Sequence, residues 1–482
     1  MPLDVVTYKY AFNRGRNIAI NNLTSSVNTL VQLLNSLPAT TAASLVDELS
    51  PTVVAKVFSN PNLQNSLAII DGWFRSSLSN YDSMAVALAN TSVSASSIAS
   101  LLSQYLSSGI VSPSKIASVF ASYQLPVAKI YNILTGLSGD QAQKILYAWA
   151  GSLLSIDRLI DLLTYKAASV TLGANTTYTG INIFNVLNLG GYTYSADGQP
   201  HVIIANQITG SGAITKTATG GAGGWSRNTG TGGAGGGGLI IITKVIGNSL
   251  GSISISANGA NGNNPSIING VIEYGGSGGG GKYIVVDTDK AGTGGAGGDA
   301  GSYSAGGSGG GNNGGAGNST YINGVPGGSV SYDTYSSYSS LASTLLYAAV
   351  DYFIRNVLGK TLSTVTSFPS VYGAGGGGSS TLTTNGSGGS GGGAGGQIII
   401  LAMRMSVSSI MARGGNGSPA AQGSASYNAG GGGGGGGIIY VLYRDYYFIS
   451  SYSVDGGSGG AGGTSSQNGR PGTNGTMKVV AI

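Results

Sequence analysis

The stretch GGAGGGGLIII, residues 232–242, sets six glycines and an alanine directly against four strongly apolar residues. Glycine loses more conformational entropy on ordering than any other residue, so one isolated tract stays disordered. Leu239–Ile242 reads as the opposite, a buried strand. The join recurs along the chain. Apolar β-rich runs begin at His201, Leu239, Gln397 and Ile438, and each is followed by a short break, a second β-rich run and a glycine tract. A degenerate copy starts at Lys282 and a final half-copy, MKVVAI, at Met477. Within the two groups the spacings are 38, 43, 41 and 39 residues. Such a period means stacked units, whereas flexible linkers have no reason to alternate with strands.

Glycine tracts between strands have one ordered option. An extended helix of three residues per turn has no internal hydrogen bonds, and all-glycine copies of it approach closely enough to bond to one another. About ten tracts are present, among them TGGAGG at 219, GGSGGGGK at 275, GGSGGGAGG at 388, a run of eight glycines at 430 and GGSGGAGG at 456. In tract number and spacing, residues 200–480 resemble the polyglycine-II sandwich of phage tail-fibre tip adhesins. That resemblance implies a core of glycine helices and connecting loops that meet the host surface. A parallel β-helix or layered β-solenoid with glycine-rich turns is the competing architecture.

The first third reads differently. Asn28–Leu34, Ser66–Phe74 and Lys144–Leu163 place apolar residues at intervals of three and four, which predicts helices. LSPTVVAKVFS from Leu49 matches VSPSKIASVFA from Val111 at an offset of 62. In each, serine suits the N-cap and proline the first turn; Ser138 and Ser155 are further caps. The expected fold class is therefore α+β and multidomain. An N-terminal helical bundle over 1–167 precedes a glycine-rich all-β domain over 168–482, a polyglycine-II/β sandwich or β-solenoid with a helical insertion at 329–372. The opening LDVVTYKYA, Leu3–Ala11, resembles the DVVTYALAK-type start of many phage and viral structural proteins and departs from it at Tyr8–Lys9–Tyr10. The resemblance implies that the helical domain docks to a particle, with Val5, Val6 and Tyr8 as candidate docking residues.

Composition narrows the partners. Charged residues are 8% of the chain, against about 25% in a typical soluble domain. A surface poor in carboxylates suits an acidic exterior. The net charge of +5 is spread without a Lys/Arg run, so nucleic acid is not an expected partner. Cysteine is absent, which excludes disulfides and thiolate metal sites. No secretory leader and no membrane-length apolar run are found. Extracellular chemistry without an export signal is the combination expected of a virion component. The expected partners are other virion proteins, a host cell-surface glycan or protein, and further copies in a homo-oligomer.

Catalytic chemistry finds no foothold. The single histidine, His201, opens a strand and reads as structural. Gly276–Lys282 nearly spells a phosphate loop, but Tyr283 replaces the metal-holding Ser/Thr and a strand follows. DTDKAG, Asp287–Gly292, is half a calcium loop without its third ligand or its glutamate. Asp47 and Glu48 read as a solvated pair. No catalytic residue, metal or cofactor is expected, and the chain does not read as an enzyme. Tyr321, Tyr332, Tyr335, Tyr338 and Tyr427 lie in polar, glycine-flanked segments and are candidate receptor-binding residues, since tyrosine gives a broad face with two torsions to freeze. The sequence thus points to a spike, fibre or tail adhesin that attaches a virion to its host. Its rivals are a cell-surface or secreted adhesin or filament subunit, and then a β-helical polysaccharide-degrading enzyme.

Overall fold

Ser50–Pro51 and Ser112–Pro113 open two of the ten helices described between Leu23 and Thr164, and the helices explain how the first unit is built. The computed structural model describes residues 23–151, 155–218, 232–247, 252–264, 278, 282–283, 331–332, 388–421, 428–463 and 467–481. Contacts divide the chain into two compact units that meet in sequence between Tyr165 and Lys166.

The helices of the first unit are α1 Leu23–Ser36, α2 Ala39–Glu48, α3 Pro51–Phe58, α4 Ser66–Arg75 and α5 Tyr81–Asn90. They continue with α6 Ala95–Ser108, α7 Pro113–Ala121, α8 Val127–Leu134, α9 Gly139–Gly151 and α10 Ile156–Thr164. Each is short, and each packs chiefly on a helix two places away in the chain. α1, α3, α5, α7 and α9 form one row; α2 packs on α4, and α6, α8 and α10 stack in the same manner. This is a stack of helical hairpins, in which each unit buries its apolar side on its neighbours, and not a bundle around one axis. Polar bonds keep the same step. Asn80 donates its side-chain amide to the Asp47 carbonyl, 33 residues back, and Ser83 donates to Leu49, 34 back. The Ser112 side chain accepts from the Lys115 amide at the start of α7, whereas Ser50 holds the equivalent position without a side-chain bond. Ser138 and Gln141 exchange bonds as a capping box. Ser155 precedes α10 in the left-handed region, φ 51°, and makes no side-chain cap.

The second unit contains β1 Val170–Thr171, β2 Thr176–Asn188, β3 Thr193–Thr209, β4 Gly212–Lys216, β5 Gly238–Ile246 and β6 Ile253–Ser256. It also contains β7 Lys282–Tyr283, β8 Ser331–Tyr332, β9 Gln397–Met411, β10 Ile438–Ser453 and β11 Thr476–Ala481. Every pairing is parallel. At 17 and 15 residues, β3 and β9 span roughly 50 Å of extended chain, and both change neighbour along their length. Thr193–Ala196 pairs β4 and His201–Ile208 pairs β5; Gln397–Met405 pairs β5 and Ser409–Met411 pairs β6. β4 in turn pairs β6. The path β3–β4–β6–β9–β5–β3 closes on itself, and with the two halves of β3 and of β9 taken separately it is a closed parallel barrel of seven strand segments. β2, β10 and β11 extend it.

This closure corrects the expected fold class. The chain is not a helical bundle followed by an all-β sandwich or solenoid: its helices stack as hairpins, and its strands close into a parallel barrel. The physical reason is strand length. Each apolar run reads as one rung of one layer, but a strand that outlasts its neighbour is free to pair elsewhere with its remaining half. Ile203, Ala205, Leu239, Ile241, Ile398, Ile400, Ile439 and Val441 form one core with Ile214, Ile255 and Ile410. The alternate residues Val202, Ile204, Ile240, Ile242, Ile399, Leu401 and Tyr440 are buried too. Burial on both faces is why the runs are continuously apolar, as parallel sheets require.

The described glycine tracts are joined by backbone bonds with a three-residue period. The tracts that lead into strands lie parallel. Gly233 and Gly236 donate to Gly391 and Ala394, Gly392 and Gly395 to Gly432 and Gly435, and Gly430, Gly433 and Gly436 to Gln467, Arg470 and Thr473. Tracts that leave strands do likewise: Gly414 and Gly417 donate to Asp455 and Ser458. Between the two sets the direction reverses. Gly431, Gly434 and Gly437 donate to Ser418, Gly415 and Ala412, and Gly457 and Gly460 to Gly434 and Gly431. Distances run from 2.7 to 3.2 Å. A step of three is the period of the polyproline-II conformation. The close approach explains the composition: a Cβ added at Gly433 or Gly434 would overlap the carbonyl of Gly457 or Gly393. The expected insertion at 329–372 falls outside the described residues except for Ser331 and Tyr332.

Candidate functional site

Three places in the described residues concentrate chemistry. The first is polar and sealed. Opposite Thr179–Ile181 of β2, β3 inserts extra residues between Asp197 and Val202, and His201 emerges from this irregularity fully buried. Its Nδ1 lies 2.9 Å from the Asp197 carbonyl, which only accepts, so Nδ1 carries the proton. Nε2 therefore accepts from the Tyr194 hydroxyl at 3.0 Å. Burial, with the Lys216 charge nearby as a lesser cause, pushes the imidazole down to about 4, against the opposing pull of the Asp197 carbonyl. Tyr194 stacks on Tyr178 with ring centroids 4.5 Å apart, and burial raises its hydroxyl. Tyr194, His201 and Lys216 have essentially no solvent contact. A general base without access to substrate does no chemistry, and the cluster holds the strand irregularity in place.

The second place is the rim of the glycine tracts, where asparagine completes the hydrogen bonding. Asn258 and Asn261 accept from the amides of Arg413 and Asn416, each at 2.8 Å. Asn416 and Asn474 accept from Ser458 and Gly456. Every amide from Ala412 to Ser418 is thereby satisfied: 412, 414 and 417 by one neighbour, 415 and 418 by another, 413 and 416 by asparagine. These side chains are occupied by the framework.

The third place is open. Beyond Tyr443, β10 gains one residue over β9 at Arg444–Asp445, an insertion of the kind that re-aims a strand. β11 pairs only Ile438–Tyr443. From Tyr446 to Ser453 one side of β10 is held by β9, and no described strand pairs the other. On this segment Tyr446, Tyr447, Phe448 and Tyr452 are 48%, 43%, 43% and 59% exposed. The Tyr447 ring lies 4.5 Å from that of Tyr443, and Arg404 of β9 pairs with Tyr446 and is itself exposed. Sequence reasoning assigned this run to the framework because YVLYRDYYFISSY carries the same β-rich composition as its buried neighbours. The readable signal was the ion-paired Arg444–Asp445 step that breaks the apolar run.

Of the predicted site residues, Val5, Val6, Tyr8, Tyr321, Tyr335, Tyr338 and Tyr427 lie outside the described residues. Tyr332 is in β8, paired with Tyr283 of β7. Asp47 is not solvated as expected: it accepts from Trp73 Nε1 at 2.6 Å and from the Asn80 amide at 3.0 Å. Among the described residues no cluster of His, Asp or Glu fits a metal ion, and no helix is long and apolar enough to cross a membrane. No family model, no curated protein and no solved structure matches the chain.

Proposed function

We propose that the chain is a structural protein of a virus particle, a spike, fibre or tail adhesin that attaches the particle to its host. The observation that carries this reading is the bonded glycine framework. Its cohesion comes from backbone amides and carbonyls in mutual contact, which salt and moderate pH changes leave intact, and it spends no charged side chains. That is what a component exposed outside a cell needs. The DVVTY-type opening supports the same reading by resemblance, with the helical unit turned to the particle and the barrel unit carrying recognition. Host glycan or protein is the class of target.

Proteomic analysis of purified particles and of uninfected host surfaces tests the proposal. The chain should be enriched in particles with known structural proteins. Recovery from uninfected cell surfaces alone would overturn it in favour of a cellular adhesin or filament subunit.

A further inference from the structure

We propose that the Asn–Gly steps of the glycine framework are latent self-modification sites, held unreactive by their hydrogen bonds and committed to isoaspartate once a tract opens. Among the described residues, three steps share one arrangement. Asn258 accepts from the Arg413 amide while the Gly259 amide donates to the Arg413 carbonyl. Asn261–Gly262 grips Asn416 in the same way, and Asn416–Gly417 grips Ser458. All six distances are 2.8 or 2.9 Å. Packing dictates the dipeptide. The outer position of the three-residue period must supply a side-chain acceptor, and the next position admits no Cβ. One added at Gly259, Gly262 or Gly417 would overlap the carbonyl oxygen of Gly393, Ser390 or Gly431.

Asn–Gly is also the dipeptide most open to attack from its own backbone, because glycine has no Cβ to hinder the approach. The Gly417 nitrogen loses its proton and bonds to Cγ of Asn416. The Cγ–Nδ2 bond breaks, ammonia leaves with that proton, and a five-membered imide remains. Water then opens either imide carbonyl to give aspartate or isoaspartate, so one water is consumed for each ammonia released. In the intact framework one neighbouring residue engages both reacting groups, the nitrogen through its carbonyl and the carboxamide through its amide. Ring closure requires both bonds to break. Exclusion of water is not what protects the site, since Asn261 and Asn416 are exposed. Isoaspartate carries the main chain through Cβ and Cγ and lengthens it by one atom. The bonds that follow, from Ser418 to Ser390 and from Gly431 to Ser418, need an unbroken three-residue step. A tract that stays open long enough to react therefore does not close again.

The test is to incubate the full chain in mildly alkaline buffer, folded and in urea, and to quantify aspartate and isoaspartate at each step by mass spectrometry. Deamidation at Asn258, Asn261 and Asn416 should be slower in the folded chain by roughly tenfold or more, as the breaking of two hydrogen bonds requires. It should rise over the urea range in which the amides of Gly259, Gly262 and Gly417 lose exchange protection. Ser458→Pro removes the amide that holds Asn416 and keeps the carbonyl; Pro419 shows that the same position of the neighbouring tract admits proline. A folded Ser458→Pro chain should deamidate at Asn416 roughly fivefold faster, the worth of one bond, with Asn258 and Asn261 unchanged. If the substitution unfolds the framework, all three steps accelerate together and the wild-type urea series decides alone. Equal rates in the folded and unfolded wild type would overturn the proposal, as would a folded Ser458→Pro chain that deamidates no faster. Recovery of exchange protection at Gly431 in refolded chains that carry isoaspartate at position 416 would also overturn it.

Discussion

Asp47, Lys115 and His201 show what a chain with so few charged residues does with them. Asp47 binds the Trp73 indole and the N-terminus of α5. Lys115 donates to the carbonyls of Trp73, Phe74 and Ser76 at the end of α4, and stands 4.4 Å from the Trp73 ring. A cation there completes the orphan carbonyls and opposes the helix dipole. Burial lowers the affinity of Lys115 for its proton, but the bonded carbonyls require the charge. His201 behaves oppositely: it is bonded as a neutral ring. Its folded value of about 4 lies below the unfolded value near 6.5, so the unfolded chain binds more protons between those limits. The stability it protects is complete above pH 6.5 and is lost as pH falls towards 4, by about 3 kcal/mol at most. Urea unfolding of the wild type should therefore weaken over that window, and His201→Gln should flatten the difference. An identical pH profile in the variant would mean that the ring is protonated without cost. The composition suggests tolerance of acid; this residue works against it.

At the scale of elements, much of the helical unit is legible and much of the glycine unit is not. Helix starts at Pro51 and Pro113 follow from local chemistry, because a cap and a fixed φ are properties of adjacent residues. The repeat LSP…VSP was visible, but the helix starts capped by Asn80, between the two copies, and by Ser138, beyond them, which have no proline, were needed to reveal a stack of hairpins. In the glycine tracts the position of each residue in the three-residue period decides what it tolerates. In the tract 429–437, Gly430, Gly433 and Gly436 meet one set of neighbouring carbonyls and Gly431, Gly434 and Gly437 another; Ala429 shows that the remaining phase admits a methyl group. Gly433→Ala should therefore destabilise the barrel unit by at least about 2–3 kcal/mol, as overpacking does, while Gly432→Ala, in phase with Ala429, should cost far less. Equal thermal shifts for the two would show that the period carries no packing information. Which residues of β10 are exposed was illegible because composition records β preference and not which stretch of a strand its neighbours cover.

For the whole molecule, ring closure is the property least accessible from sequence. The joins between β3, β5 and β9 link residues as far apart as Leu239 and Ile398, and only the ends of long strands decide which neighbour each half adopts. Leu239, Ile398 and Ile439 stand side by side in the sheet. The described glycine tracts are bonded structure and not tether. Amide hydrogen exchange measured residue by residue across Gly430–Gly437 tests this most directly. Gly430, Gly431, Gly433, Gly434, Gly436 and Gly437 all donate to carbonyls of neighbouring tracts, so their exchange should be slowed to the level of core-strand amides such as Ile439 and Val441. Exchange of the whole tract at the rate of an unstructured peptide, while those strand amides stay protected, would contradict it.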